Sequence, residues 1–108
     1  MELSRQPGEI AMETKVWPTT IDEAVGVLLV TLSDVDKDRI AAMDESELIG
    51  LHFGLGMWIR NNMGLWQGNQ ALMQSIRQDT PHIHPDDVSM VIIKALWRRL
   101  RELAPKVH

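Results

Sequence analysis

Apolar residues recur at helical spacing along most of this chain, and the pattern predicts an all-α fold. The clearest stripe lies near the C-terminus, where apolar residues stand three or four positions apart: Val88, Ile92, Ala95, Leu96, Leu100 and Leu103. Pro85 suits the first position of a helix, and Asp86 and Asp87 place negative charge in the first turn. We therefore expect a helix from Pro85 to about Leu103, before Pro105.

Four further helices are expected upstream, each opened by a residue that favours a helix N-terminus. The expected N-caps are Thr20, Ser33, Asp44 and Asn69. Glu23 and Glu47 follow two of them at the spacing of a capping box. The predicted helices run from Ile21 to about Leu32, from Asp34 to about Met43, from Asp44 to about Asn61, and from Asn69 through Gln78.

The third predicted helix contains an unusual number of glycines, namely Gly50, Gly54 and Gly56. Each costs about 1 kcal/mol relative to alanine inside a helix. We expect another backbone to approach closely along Gly50 and Gly54 in compensation. The predicted architecture is a compact bundle of four to five helices, with this central glycine-containing helix packed on the C-terminal helix.

Size and composition indicate one small globular domain. With 108 residues, 44% of them hydrophobic and 24% charged, the chain is expected to hold a flexible arm (1–16), a helical domain (17–104) and a tail (105–108). The net charge of −4 argues against nucleic acid as a partner. The lack of cysteine excludes disulfides and zinc-thiolate sites, and no apolar run is long enough for a membrane span. The expected compartment is the cytoplasm.

The span from Trp17 to about Leu103 resembles a family of small bacterial domains classed as a domain of unknown function. The resemblance depends mainly on the strings G-x-W-I-R-N-x-x-G-L-W, from Gly56 to Trp66, and H-P-D-D, from His84 to Asp87. Further matching residues are Trp17, Pro18, His52, Asn69, Ser89, Ile92 and Trp97. The resemblance implies a helical fold and no particular activity.

The first candidate site lies around Arg60 and Asn61. His52 and Arg60 are eight residues apart, about two helical turns, so they share one side of the predicted helix. Gly56 lies midway and would leave an open notch between the imidazole and the guanidinium. Such a site could hold a carboxylate or a phosphate, clamped by Arg60 and oriented by Asn61.

A structural interpretation of the same residues is favoured. In it, Arg60 pairs with the carboxylate of Asp86 or Asp87 and ties the glycine-containing helix to the start of the C-terminal helix. A nearby run, His82-Ile-His84-Pro-Asp86-Asp87, could supply metal ligands, but helix initiation explains its Pro and Asp residues and we expect no metal.

The aromatic and basic residues have structural interpretations too. Trp58, Trp66 and Trp97 are expected to anchor the core; an exposed tryptophan would instead mark a partner surface. A basic cluster near the end of the C-terminal helix complements the helix dipole: Lys94, Arg98, Arg99 and Arg101.

These features favour a non-enzymatic bacterial protein-interaction module, as an accessory, immunity-like or regulatory component. We expect another protein as partner, with a homo-oligomer as a further option, and no catalytic residues or cofactor. The alternative is a small anionic-ligand-binding domain or a cryptic enzyme at the junction of His52, Arg60, Asn61 and Asp86. Seven methionines and four tryptophans favour the first, because both residue types are enriched at interfaces.

Overall fold

The computed structural model describes residues 17–103, and this part of the chain is all-α, as predicted. It forms five α-helices and one 3-10 helix. In chain order they are α1 (Ile21–Thr31), α2 (Asp34–Ala41), the 3-10 helix (Glu45–Leu51), α3 (Leu55–Asn62), α4 (Gln70–Arg77) and α5 (Pro85–Leu103). The predicted arm (1–16) and tail (105–108) lie outside the described residues.

The helix starts agree with the residues that predicted them. Thr20 and Ser33 each accept a hydrogen bond from a backbone N–H three residues on, at 3.1 Å. The Asn69 side-chain oxygen accepts the Leu72 N–H at 3.2 Å. The expected capping box of Asp44 and Glu47 is present, with the Glu47 carboxylate accepting the Asp44 N–H at 2.7 Å.

α5 is the central element of the bundle. It packs against α1, α2, the 3-10 helix, α3 and α4, while α1 also contacts α4. Its fully buried apolar residues lie on one stripe and join the apolar sides of the other helices in a single core: Val88, Ile92, Ile93 and Leu96. The predicted pairing of a glycine-containing helix with the C-terminal helix is confirmed, because α3 carries Gly56 and packs on α5.

The prediction of one continuous helix from Asp44 to Asn61 is wrong. The segment begins as a 3-10 helix, turns at residues 52–54, and becomes α-helical only at Leu55. Gly54 stands at the N-cap of α3 with a non-helical backbone. The expected close approach along Gly50 and Gly54 is wrong too, since a Cβ at either position would meet nothing within 4 Å. These two glycines accompany the break in the helix rather than a helix crossing.

Trp17 and Pro18, at the start of the described residues, contact the segment just before α4. The Asn69 side-chain amide donates to the Pro18 carbonyl at 2.9 Å and to the Met63 carbonyl at 2.8 Å. Beside it, the Trp17 ring lies against Gly64, whose φ of 74° suits glycine. A side chain at Gly64 would overlap the Trp17 ring, so this contact depends on the missing Cβ.

Candidate functional site

Arg60 ties α3 to its neighbours by hydrogen bonds. Its side chain is on the α5-facing side of α3, and only 5% of the residue is exposed. Nη1 donates to the Ser89 hydroxyl at 2.9 Å, and Nη2 donates to the His52 carbonyl at 3.2 Å. Ser89 in turn donates to the Asp86 carbonyl at 2.8 Å. One guanidinium therefore joins the end of the 3-10 helix, α3 and the first turns of α5.

The acceptor of the Arg60 guanidinium on α5 differs from the predicted one. Arg60 was expected to pair with the carboxylate of Asp86 or Asp87, but within residues 17–103 it forms no ion pair with either. The Asp86 carboxylate lies 3.9 Å from His84 Nδ1, and Asp87 is exposed. The fully buried Ser89 hydroxyl takes the expected place of the carboxylate.

The notch expected beside Gly56 is filled by the guanidinium itself. A Cβ at Gly56 would lie 3.1 Å from Arg60 Nη1, 3.4 Å from the Leu51 carbonyl oxygen and 3.6 Å from Ser89 Oγ. Gly56 thus makes room for Arg60 rather than for a ligand. The third glycine of the segment is the one at which a missing side chain permits close packing.

The side chains of Asn61 and His52 do not join Arg60 in a common site. The Asn61 side chain is exposed, one position on from the buried Arg60, so the two do not converge on one ligand. His52 contributes its backbone carbonyl, and its ring stacks edge-on against Phe53, with ring centroids 5.0 Å apart. The predicted pairing of the His52 and Arg60 side chains on one helix side fails because the helix breaks between them.

The second histidine run forms the start of α5. His84 precedes the helix, and its Nδ1 accepts the Asp86 N–H at 3.2 Å, as an N-cap side chain does. Within residues 17–103, no group of three or more His, Asp or Glu side chains comes close enough to hold a metal ion. His82 and His84 are both exposed.

The three tryptophans expected in the core have different environments. Trp97 packs against the core and donates its indole N–H to the Met43 carbonyl at 2.8 Å, with the Arg101 guanidinium 5.0 Å over its ring. Trp66 was predicted as a core anchor and is 53% exposed, so that prediction is wrong. Trp58 is partly buried, with one side on the core.

Trp58 also lines an open apolar groove of about 360 Å³ between α1, α2 and the start of α3. We call it the Trp58 groove. Its apolar lining is Leu28, Leu32, Ile40, Leu51, Leu55 and Trp58, and its polar lining includes Thr31, Asp36 and Arg39. Asp36 and Arg39 pair with each other at 3.2 Å. The groove continues the apolar surface of the core to the outside.

The indole N–H of Trp58 differs from that of Trp97 in one respect. Within residues 17–103 it donates no hydrogen bond, whereas Trp97 has the Met43 carbonyl. Buried or half-buried tryptophans usually find an acceptor for this group. In this part of the chain, Trp58 thus lines the groove with an indole that has no hydrogen-bond acceptor.

Exposed apolar side chains occur in the segment that forms one wall of the groove. Phe53, next to the groove-lining Gly54, is 78% exposed, and Ile49 and Met57 are also exposed. They stand four residues apart across the break between the 3-10 helix and α3. Where exposed apolar side chains form one contiguous patch, that patch is typical of a contact surface.

Sequence reasoning missed the Trp58 groove and the part played by Ser89. The groove depends on the turn at 52–54, which repositions Leu51, Gly54 and Leu55, and periodicity does not reveal such a break. For Ser89 a signal was available, because its position three residues after Asp86 allows a hydroxyl to bond the Asp86 carbonyl.

None of the helices described here is both long and apolar enough to cross a lipid bilayer. Comparison with the curated proteins and with the solved structures found no match. A family model, by contrast, matches residues 17–100, which is more than three-quarters of the chain. Its description is "Domain of unknown function (DUF6794)", and the chain belongs to this family.

Proposed function

We propose that this domain is a non-enzymatic protein-interaction module, and that the Trp58 groove receives an apolar segment of a partner protein. The observation that carries the proposal is the groove itself, an open and largely apolar channel lined in part by Trp58. Its volume of about 360 Å³ lies at the lower end of the range for binding sites in proteins.

The shape of the site favours an amphipathic helix as the bound segment. Such helices place residues i, i+3, i+4 and i+7 in a groove between helices of the receiving domain. The exposed Phe53, Ile49 and Met57 would enlarge the apolar contact beyond the groove. Tryptophan is one of the residue types enriched among those that contribute most of the binding energy of an interface.

A small anionic ligand at Arg60 is the second candidate function. One observation favours it: the guanidinium is buried and has two neutral acceptors but no carboxylate partner within residues 17–103. To admit an anion, however, the guanidinium has to leave Ser89, because it fills the space beside Gly56. The Trp58 groove is already open and needs no such movement, so we favour the interaction module.

Gly54 permits a direct test of the groove. It lines the groove, and a Cβ there would meet nothing within 4 Å, so Gly54→Gln should fill part of the groove and leave the fold intact. Gly50→Gln is the matched control, because a Cβ at Gly50 is equally free and Gly50 does not line the groove.

The experiment selects binders from a surface-displayed library of random peptides of about 16 residues, long enough for about four helical turns. The full-length protein is the target. We expect amphipathic sequences whose affinity falls at least about tenfold on Gly54→Gln and stays within about twofold on Gly50→Gln. Thermal unfolding of both variants checks that they fold. A selection that yields only peptides indifferent to Gly54→Gln would refute the proposal.

A bacterial source, a cytoplasmic location and an accessory, immunity-like or regulatory role belong to the same proposal. They depend on the sequence features given above. Selected peptides would supply the pattern with which to search for the natural partner.

A further inference from the structure

Taking the proposed function as its basis, we infer that the segment bound in the Trp58 groove is cationic, with Lys or Arg residues flanking its apolar side. The inference comes from the charge of the chain segment that forms the groove, which differs from that of the rest of the described residues.

The N-terminal half of the described chain, which supplies the lining of the groove, is acidic. From Trp17 to Ile59 the chain carries eight carboxylates and only two cations, Lys37 and Arg39. From Arg60 to Leu103 it carries six cations and four carboxylates. The net charge of −4 therefore combines an acidic half, residues 17–59, which forms the groove, with a basic half, residues 60–103, which contains all of α5. Two cations of the basic half, Lys94 and Arg101, reach the acidic half at the Glu45 carboxylate and the Ala41 carbonyl.

Both cations of the acidic half are already engaged. Lys37 Nζ donates to the Leu29 carbonyl at 3.1 Å and lies 3.4 Å from the Asp34 carboxylate. Arg39 pairs with Asp36 in the groove lining. The Glu45 carboxylate forms an ion pair with Lys94 of α5, with 3.8 Å between Oε2 and Nζ.

The remaining carboxylates of this half have no ion-pair partner within residues 17–103: Asp22, Glu23, Asp38, Asp44 and Glu47. All five are exposed. Exposed like charges act over about 8 Å at physiological ionic strength. Their summed field attracts a cationic segment and accelerates its encounter with the groove.

Charge also decides between a foreign segment and a second copy of this chain. Two copies that meet groove to groove would bring two acidic halves together, which is unfavourable. An acidic amphipathic helix is disfavoured for the same reason. A cationic segment gains from the field before contact and keeps the apolar contacts afterwards.

Two probe peptides test the inference. Both are amphipathic, about 16 residues long, with leucine at i, i+3, i+4 and i+7; one has three lysines at its flanks and the other three glutamates. On the full-length protein we expect the lysine peptide to bind at least about tenfold more tightly at about 50 mM NaCl. The advantage should shrink at about 300 mM, because salt screens the field.

Variants with matched changes in charge locate the effect. Asp38→Asn with Asp44→Asn removes two carboxylates from the acidic half, and asparagine serves as well as aspartate at an N-cap such as position 44. Asp79→Asn with Asp87→Asn makes the same change in net charge in the other half. We expect the first pair of substitutions to lower the affinity for the lysine peptide about threefold or more. The second pair should change the logarithm of that affinity by less than half as much.

The outcomes separate this inference from the proposed function. Equal binding of the two peptides, with both lost on Gly54→Gln, would overturn the cationic partner and leave the groove as the binding site. Failure of these peptides and of the whole library to bind in a manner sensitive to Gly54→Gln would overturn the proposed function itself. A dimer seen by light scattering and abolished by Gly54→Gln would make a second copy the occupant and overturn the inference.

Discussion

The guanidinium of Arg60 occupies the space into which a side chain at Gly56 would project. The two residues are four positions apart on α3, and a Cβ at Gly56 would lie 3.1 Å from Arg60 Nη1. Contacts between Cβ atoms and their neighbours are rarely so short, so either the guanidinium or the helix would have to move. Gly56 and Arg60 therefore act as one unit, in which the absence of one side chain permits the other.

A double-mutant cycle on this pair should show strong coupling. Gly56→Ala is expected to lower the free energy of unfolding by about 1–3 kcal/mol, because the added methyl group crowds the Arg60 hydrogen bonds. In an Arg60→Ala background the same change should stabilise by up to about 1 kcal/mol, since alanine favours a helix and the space is vacant. Urea denaturation of the four proteins measures the cycle, and additive effects would contradict the contact.

Arg60→Ala alone separates a structural tie from a ligand site. It leaves a cavity and deprives the buried Ser89 hydroxyl and the His52 carbonyl of a donor, so we expect a loss of about 2–4 kcal/mol in unfolding free energy. Binding of the lysine peptide should survive under conditions in which the variant is folded. Stabilisation of the wild type by phosphate that disappears in Arg60→Ala would support the anion site instead.

A pair of glycines tests the packing of Trp17. Both Gly64 and Gly68 have positive φ, 74° and 87°, so alanine at either carries a similar backbone cost of about 1 kcal/mol. At Gly64 the new Cβ would also overlap the Trp17 ring, whereas at Gly68 it would meet nothing within 4 Å. We expect Gly64→Ala to cost at least about 2 kcal/mol more than Gly68→Ala in unfolding free energy. Equal losses of unfolding free energy for the two variants would contradict the contact between the Trp17 ring and Gly64.

Glu23 gives the domain a defined response to acid. The backbone N–H of Thr19, at 2.8 Å, and then its hydroxyl, at 3.0 Å, lower the pKa of the Glu23 carboxyl in the folded protein. A depressed pKa means that the ionised form stabilises the fold. This contribution is complete above the unfolded pKa of about 4.3 and is lost as pH falls through the lower folded pKa.

Glu23→Gln isolates that contribution, because it removes the titrating group and keeps an acceptor oxygen. We expect the wild type to be more stable than the variant near neutral pH, with the difference shrinking below about pH 4.3. The comparison requires unfolding curves over a range of pH. A difference that is constant with pH would show that the Thr19 hydrogen bonds do not depend on the charge.

Local sequence rules predicted most of the helices because each helix start contains its own explanation. Thr20, Ser33 and Asn69 each cap a helix by accepting a backbone N–H three residues away, and no tertiary contact is needed to foresee this. The apolar stripe of α5 was equally easy to predict, because a helix that contacts every other element needs a wide apolar side.

What the sequence did not reveal depends on long-range packing. The helix breaks at residues 52–54, and a Cβ at Gly50 or Gly54 would meet nothing within 4 Å. The spacing of apolar residues is the same before and after this break, so the sequence pattern does not reveal it. The acceptor of Arg60 on α5 could have been either an aspartate or a serine, since all three lie in the first turns of one helix. Trp66 is exposed two residues after the left-handed backbone of Gly64, and composition alone does not give the direction of its side chain.

The central position of α5 has a consequence for biosynthesis. α1 to α4 leave the ribosome before the helix against which they all pack, and their apolar sides have no common partner until Leu103 has emerged. Cooperative folding must therefore wait for the end of translation of this domain, and nascent chains are exposed to chaperones or to aggregation until then. A stop codon early in α5 would produce a polypeptide that proteases remove rather than a partly active fragment.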